Sequence, residues 1–149
     1  MKWMRDPIYD SYWFHKFINR LMLKGYKSRS EKAVYQAMRN IKFKANVHPY
    51  LAFFALLETL RPSMYTVPKR IGRKIHQIPI PLYRSSGYRI VLKWMSHSIK
   101  SRDDSELSNR ISSELLALIT NSKSMVFKKR EELFKTILDN RTFSNFRWR

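Results

Sequence analysis

The sequence predicts a mainly α-helical protein, a bundle of about six helices from which a basic β-hairpin arm protrudes. Apolar residues recur at helical spacing in six segments, which is the primary signal of amphipathic helices. Between the third and fourth segments, two short runs with extended preference flank Gly72, which predicts a two-stranded ribbon. No linker, repeat or low-complexity tract divides the 149 residues, so one domain over 1–149 is the simplest organisation.

Three helices are predicted before the ribbon. Ser11 can cap the first and Gly25 can end it, Ser30 can cap the second, and Pro49 suits the first turn of the third. The run 51–57 in the third helix is apolar on all sides, which predicts a central buried helix. The apolar stripes of the first two helices are Phe14, Phe17, Ile18 and Leu21, then Val34, Ala37, Met38 and Ile41.

The predicted hairpin arm covers about 64–81. Pro68, Pro79 and Pro81 exclude a strand in the middle of a sheet, whereas a two-stranded ribbon tolerates them. Four cations fall at its tip, namely Lys69, Arg70, Arg73 and Lys74. A basic ribbon of this kind suits insertion into a nucleic-acid groove, and a mobile loop is the alternative.

Three more helices are predicted after the ribbon. A Ser105 cap begins the fifth, and the C-terminal helix and tail cover about 127–149. The core-facing residues expected are Tyr88, Val91, Trp94 and Met95 in the fourth helix, Leu107, Ile111, Leu115, Leu118 and Ile119 in the fifth, and Leu133, Phe134, Ile137 and Leu138 in the sixth. The tail ends with Phe143, Phe146 and Trp148 among basic residues.

Positive charge is the strongest compositional signal. Thirty Lys and Arg against eleven Asp and Glu give a net charge of +19. Between Glu31 and Asp103 there is one acidic residue, Glu58, whereas solubility alone is usually achieved with both signs interspersed. A one-sign stretch of this length predicts contact with phosphates, so nucleic acid is the expected partner and an anionic membrane surface is the rival.

The same sequence offers little for catalysis. The absence of Cys excludes disulfides and thiolate zinc sites, and the three Gly do not form a phosphate-binding loop. The four His (His15, His48, His76 and His97) lack metal-ligand spacing. We therefore expect no enzyme activity, no metal and no cofactor. No apolar run approaches the roughly 20 residues of a membrane-spanning helix.

Two helical features add to the predicted phosphate-binding surface. Arg89, Lys93, His97 and Lys100 recur every three or four residues, so they form one stripe on the fourth helix. Without interspersed acids, this stripe favours phosphate contact over an ordinary solvated face. The cations of 128–130 lie near a helix start, where they oppose the helix dipole unless an external phosphate relieves the conflict.

Several motifs together resemble one known family, ribosomal protein seven of the small subunit. Four segments in the C-terminal half are similar to family motifs: the basic-Trp pair Lys93-Trp94, the segment 110–115, the Lys-Lys-Arg-Glu-Glu stretch 128–132 and the ending 140–148. The hairpin segments 69–72 and 77–80 also resemble the family in order and spacing, so the resemblance extends from about 6 to 148. The sequence departs from the family pattern at Tyr26, Ala33, Arg73 and Asn145.

The resemblance implies a structural role in translation rather than catalysis. Family members bind the 3′ major domain of small-subunit rRNA and organise assembly of the subunit head. Their hairpin lies near exit-site tRNA and the mRNA path, and they neighbour small-subunit proteins nine and eleven. The RNA-binding residues expected here are Lys16, Arg20, Lys24, Lys27, Lys69, Arg70, Arg73, Lys74, Arg84, Arg89, Lys93, Lys100, Arg102, Lys128, Lys129 and Arg147.

The composition points to an organellar ribosome. The chain is rich in Lys, Ile, Phe, Tyr and Met and poor in Gly and Ala, a bias typical of an AT-rich genome. The first residues do not read as a transit peptide, so we expect synthesis within a mitochondrion, with another organellar or a bacterial ribosome as the alternative. Three other classes compete with the ribosomal interpretation: an architectural nucleic-acid-binding protein, a basic protein of membrane surfaces and an RNA-processing enzyme.

Overall fold

The computed structural model describes residues 5–120, 122 and 124–147. In this part of the chain there are six α-helices, a short 3-10 helix and one two-stranded antiparallel hairpin, which confirms the predicted fold class. The elements are α1 (Tyr12–Leu21), α2 (Lys27–Ala45), α3 (Pro49–Leu60), β1 (Met64–Ile71), β2 (Lys74–Pro81), α4 (Arg84–Lys100), α5 (Leu107–Ile119), α6 (Met125–Asp139) and the 3-10 helix (Arg141–Phe146). Trp148 lies outside the described residues.

The core lies between α1, α2, α3, α4 and α5. The predicted stripes of α1 and α2 are fully buried, as predicted from their spacing. Phe14, Phe17 and Phe53 meet at its centre, with the Phe53 ring 5.4 Å from Phe14 and 5.1 Å from Phe17 between centroids. Aromatic rings at such separations add packing energy beyond the area they bury, so this cluster fixes α1 against α3.

The observed ends of the helices agree in part with the ends predicted from the sequence. The Ser11 hydroxyl caps α1 by accepting a hydrogen bond from the Phe14 amide at 3.4 Å, as predicted. Gly25 does not end α1 directly, because the helix stops at Leu21 and a turn follows. Lys24 and Gly25 both adopt positive φ in that turn (49° and 79°), and Gly25 suits the second of these positions because it has no Cβ.

Two predicted N-caps are wrong. Ser30 lies in the first turn of α2, where it is buried and its hydroxyl donates to the Tyr26 carbonyl at 3.5 Å. Because that bond to a carbonyl one turn earlier satisfies the hydroxyl within the helix, Ser30 does not mark a boundary. Ser105 does not cap α5, which begins two residues later after Glu106, and the Glu106 side chain makes no capping bond.

Two helices are less buried than their apolar residues suggest. In α3, Leu51 is 63% exposed and Phe54 is 37% exposed, so the prediction of a helix buried on all sides is wrong. In α6, Phe134 and Leu138 are also exposed, whereas Leu133 is buried as predicted and Val126 enters the core without having been predicted. Each of these two helices buries one face and leaves another face exposed.

The hairpin is a regular two-stranded ribbon that pairs Met64 with Pro81 at its base and Ile71 with Lys74 at its tip. Gly72, with φ of 60°, makes the tight turn. Ile78 is buried and anchors the ribbon to the body of the protein.

The C-terminal 3-10 helix packs along the ribbon. The Phe143 ring lies 4.2 Å from the His76 ring between centroids, and the Lys69 ammonium donates to the Phe146 carbonyl at 3.1 Å. Lys69 and His76 are paired across the ribbon, so the tail contacts both strands at the same residue pair. We call the part of the ribbon beyond this pair, residues 70–75, the tip. Lys69 does not belong to the tip, because it is bound to the tail.

We expect Phe143→Ala to loosen the tail without unfolding the core. Loss of the ring contact with His76 removes a pairing worth about 0.5–1.5 kcal/mol, which corresponds to a several-fold faster local opening. Hydrogen exchange followed by mass spectrometry should show reduced protection in 141–146 and 74–78. Thr142→Ala, at an exposed position of the same 3-10 helix, is the control. Unchanged exchange in Phe143→Ala would contradict the packing role.

Candidate nucleic-acid interface

A cation-lined groove lies between α1 and α4. Lys16 and Arg20 project from successive turns of α1, and Arg89 faces them from α4. The groove has a volume of about 460 Å³, and no described residue that lines it is acidic. The remaining lining residues are Tyr12, Trp13, Asn19 and Leu92. Three cations from two helices around an acid-free groove form a site suited to phosphate groups.

Local geometry orients one of the α1 cations, Lys16. The Lys16 ammonium lies 5.3 Å from the centroid of the Tyr12 ring, one turn earlier, and this contact favours a side chain lying along the groove. Sequence reasoning identified Lys16, Arg20 and Arg89 but did not place Tyr12 and Trp13 as the wall between them. Their spacing from Lys16 is the available signal, since residues three or four apart share one helix face.

A second groove, of about 750 Å³, lies between α4, α6 and β1. Lys93, His97 and Lys100 enter it from α4, and Lys129 enters it from α6. One acid, Glu132, is among its described lining residues, so the net charge of the groove lining is positive. Arg89, Lys93, His97 and Lys100 are all exposed, which confirms the predicted polar stripe of α4. Because this helix borders both grooves, it joins them into one basic surface. The apolar walls of the second groove are Tyr65, Ile90, Trp94 and Leu133.

The remaining predicted residues are distributed around this surface. Arg70, Arg73 and Lys74 are exposed at the hairpin tip, where the Arg70 guanidinium donates to the Gly72 carbonyl at 3.3 Å. Lys27 forms an ion pair with Glu31 at 3.5 Å. Three further predicted cations, Lys24, Lys128 and Arg147, are exposed.

Arg102 has an internal partner that the sequence did not reveal. Its guanidinium donates to the Glu114 carboxylate at 2.7 Å, and Glu114 is only 2% exposed. The same carboxylate accepts hydrogen bonds from the hydroxyls of Ser98 at 2.8 Å and Ser124 at 2.6 Å. Buried carboxylates are tolerated when they are paired and hydrogen-bonded, so Arg102 has a structural task beside any contact with RNA.

Arg84 also has an internal partner. Its guanidinium pairs with the Glu58 carboxylate and donates to the Tyr88 hydroxyl at 2.8 Å. Arg61 lies 3.4 Å from the same carboxylate. Hydrogen bonds from Tyr88 and from Arg84 hold the pKa of Glu58 below its ordinary value. Glu58 therefore stays ionised with two arginines beside it, and the one acid between Glu31 and Asp103 is locally compensated.

His15 lies behind the α1 cations. Burial, together with the charges of Lys27 and Lys16, lowers the pKa of His15. The imidazole is thus neutral at neutral pH and adds no charge to the surface. Among the described residues, no group of three His, Asp or Glu side chains could hold a metal ion. In the same residues, no helix combines the length and the apolar character that crossing a membrane requires.

Comparisons with known proteins identify the family of this chain. The family model described as ribosomal protein S7p/S5e matches residues 1–141. The chain is 34% identical to the small ribosomal subunit protein uS7 of Wigglesworthia glossinidia brevipalpis over 143 residues, which cover 96% of this chain and 91% of the relative. It is 31% identical, with the same coverage, to the protein of that name from Dictyoglomus thermophilum. The corresponding protein from Methylobacterium radiotolerans is 32% identical, again with the same coverage.

The predicted family and the predicted absence of catalytic function are both confirmed by this match. The chain belongs to the ribosomal protein S7p/S5e family and is a structural, non-enzymatic constituent of the small ribosomal subunit that serves translation.

Proposed function

We propose that this chain binds the 3′ major domain of small-subunit rRNA and organises assembly of the subunit head. The observation that carries the proposal is the basic surface on both sides of α4. Six cations converge there from three helices, with one acid, Glu132, among the described lining residues. Phosphate contacts position an RNA without reading its sequence, so this surface supplies affinity and orientation. The six cations are Lys16, Arg20, Arg89, Lys93, Lys100 and Lys129.

Structured RNA fits this surface better than a single extended strand. The two grooves are separated by a helix, so phosphates from two backbone segments can be held at once. Shape and phosphate contacts are the usual means of recognising folded RNA. The half-buried ring of Trp94 and the exposed ring of Tyr65 in the second groove offer apolar surface for an unpaired base.

The hairpin tip forms a separate part of the proposed function. Arg70, Arg73 and Lys74 lie beyond the residue pair that the tail contacts, so the tip can reach RNA away from the body of the protein. We assign the tip to the neighbourhood of exit-site tRNA and the mRNA path. The C-terminal helix and tail, with exposed Phe134 and Leu138, are assigned to a neighbouring small-subunit protein, of the nine or eleven type.

We also propose a mitochondrial ribosome as the setting. The support is the compositional bias towards Lys, Ile, Phe, Tyr and Met. Labelling of isolated mitochondria while cytosolic translation is blocked should yield the protein. Efficient assembly into the ribosome of a living bacterium would favour a bacterial origin.

A salt-titrated binding assay tests the rRNA proposal. It compares a 3′-domain fragment of small-subunit rRNA, a generic RNA duplex and anionic vesicles. Affinity for every polyanion falls as salt rises, so the informative quantity is the salt concentration at which each complex is lost. We expect rRNA binding to persist where duplex and vesicle binding have vanished. Loss of all three at one salt concentration would identify a non-specific binder of polyanions.

A further inference from the structure

A third groove lies apart from the basic surface and has a different character. It runs between the second half of α2 and the start of α3, with a volume of about 400 Å³. None of its lining residues lines either groove beside α4. Six of them are apolar or aromatic and three are basic. They are Ile8, Tyr9, Tyr35, Met38, Phe43 and Pro49, with Arg39, Lys42 and His48.

The rim of this groove carries large apolar side chains in solvent. Phe43 is 78% exposed, Ile8 is 63% exposed, and Val47, between Phe43 and His48, is 40% exposed. These side chains are close along one surface, whereas isolated exposed apolar residues are ordinary. Apolar side chains rimmed by polar residues mark interaction sites. The last turn of α2 is uncovered, since Lys42, Phe43 and Lys44 are all exposed.

The aromatic rings decide between RNA and protein as the occupant. Binding of unpaired bases needs free ring faces. Tyr9 is already stacked on Tyr50, at 5.4 Å and an interplanar angle of 10°. Tyr35 lies over Phe14 at 6.4 Å and 25°. Among the phenyl and phenol rings of the lining, Phe43 is then the one without such a stacking partner in the described ring contacts, and the aliphatic Ile8 beside the groove offers a base nothing to stack on.

The polar lining specifies the charge of the occupant. Arg39 and Lys42 are exposed at the groove, and His48 lies opposite them at the start of α3. Asp6 is 1% exposed, and its carboxylate accepts from the Tyr35 hydroxyl at 2.6 Å and from the amides of Ile8 and Tyr9 at 3.1 and 2.9 Å. Asp6 is therefore satisfied internally, and the cations at the groove have no accessible carboxylate among its described lining residues.

We propose that this groove docks a segment of a neighbouring protein that carries an apolar anchor side chain flanked by carboxylates. The anchor packs against the exposed side chains of Phe43 and Ile8, while the carboxylates pair with Arg39 and Lys42. Apolar anchors seated in a pocket supply most of the affinity of such contacts, and charges at the rim select the partner. The contact is separate from the rRNA-binding surface, so the chain can hold RNA and this protein at the same time.

A photocrosslinking experiment in assembled small subunits tests the proposal. The full chain carries benzoylphenylalanine in place of Phe43, and the purified subunits are irradiated, digested with ribonuclease and protease, and mapped by mass spectrometry. A crosslink to a protein segment with an apolar residue and carboxylates within one helical turn is the expected result. A crosslink to rRNA nucleotides would overturn the proposal in favour of RNA. A crosslink to a protein segment without carboxylates would overturn it as well, because the proposed partner carries them. Absence of any crosslink would show that the groove faces solvent.

Two substitutions give an independent measurement. Phe43→Ser should lower the amount of the crosslinked protein in purified subunits at least about threefold, while the amount of this chain stays constant. Leu51→Ser removes a similarly exposed apolar side chain on α3 outside the groove and should leave the composition unchanged. Because Phe43 and Leu51 are both mostly exposed, neither change should alter thermal unfolding of the chain. Equal occupancy in both variants would contradict the proposal.

Discussion

Glu114→Ala is expected to destabilise the protein by about 3 kcal/mol, because its removal leaves two buried hydroxyls and a half-buried guanidinium without the carboxylate that accepts from them. Glu114 is the carboxylate that accepts from Arg102, Ser98 and Ser124. Without it, the guanidinium of Arg102 and two buried hydroxyls lose their acceptor together. For a chain of this length, such a loss lowers the melting temperature by roughly 6–12 °C.

Equilibrium unfolding in urea measures this effect, with Glu131→Ala as the matched control. Glu131 is an exposed acid on α6, so its removal changes the net charge equally without emptying a buried site. Glu114→Gln should fall between the two, because it keeps the shape and one acceptor but loses the charge. A loss in Glu114→Ala that is no larger than in Glu131→Ala would show that the three contacts contribute nothing to stability.

The Glu114 network also links three helices. Ser98 belongs to α4, Glu114 to α5, and Ser124 is the residue whose hydroxyl caps α6 by accepting from the Val126 amide at 3.1 Å. Loss of the carboxylate therefore disturbs the point at which α6 joins the bundle. Since α6 carries Lys129 into the second groove, this internal network positions part of the proposed RNA-binding surface.

The fold was predictable because its elements depend on local patterns. Helical spacing identified α1, α2, α4 and α5, and Gly72 between two extended runs identified the hairpin. The same patterns could not show which helices leave an apolar face exposed. Leu51 in α3 and Leu138 in α6 are as apolar as core residues, and their exposure depends on which neighbours the tertiary arrangement supplies.

The candidate surface was predictable as a set of cations, whereas the way its grooves are formed was not. Arg89 and Lys93 share one stripe of α4, yet they line different grooves because α1 and α6 pack on its two sides. Arg102 follows the same stripe in sequence but turns inward to Glu114, twelve residues along the chain. No local pattern shows such a pairing, because it depends on the packing of α5 against α4.

Replacement of Lys16, Arg20 and Arg89 together by Ala is expected to weaken binding of the 3′-domain rRNA fragment by about 100-fold at moderate salt. Each cation that contacts a phosphate releases counterions, so each removal lowers the slope of log affinity against log salt concentration by about one unit. The triple variant should therefore lose about three units of slope. A loss of affinity without a change of slope would indicate altered structure rather than lost phosphate contacts.

The matched control replaces three exposed lysines that line neither groove beside α4, namely Lys32, Lys44 and Lys135. Both triple variants lower the net charge by three, so a purely global attraction would weaken them equally. Short-range contact with phosphates predicts a difference instead, because charges beyond about 10 Å are screened at 0.1 M salt. If the two variants bind the rRNA fragment alike, the charge of the whole protein is what attracts RNA, and the α1–α4 groove is not a phosphate site.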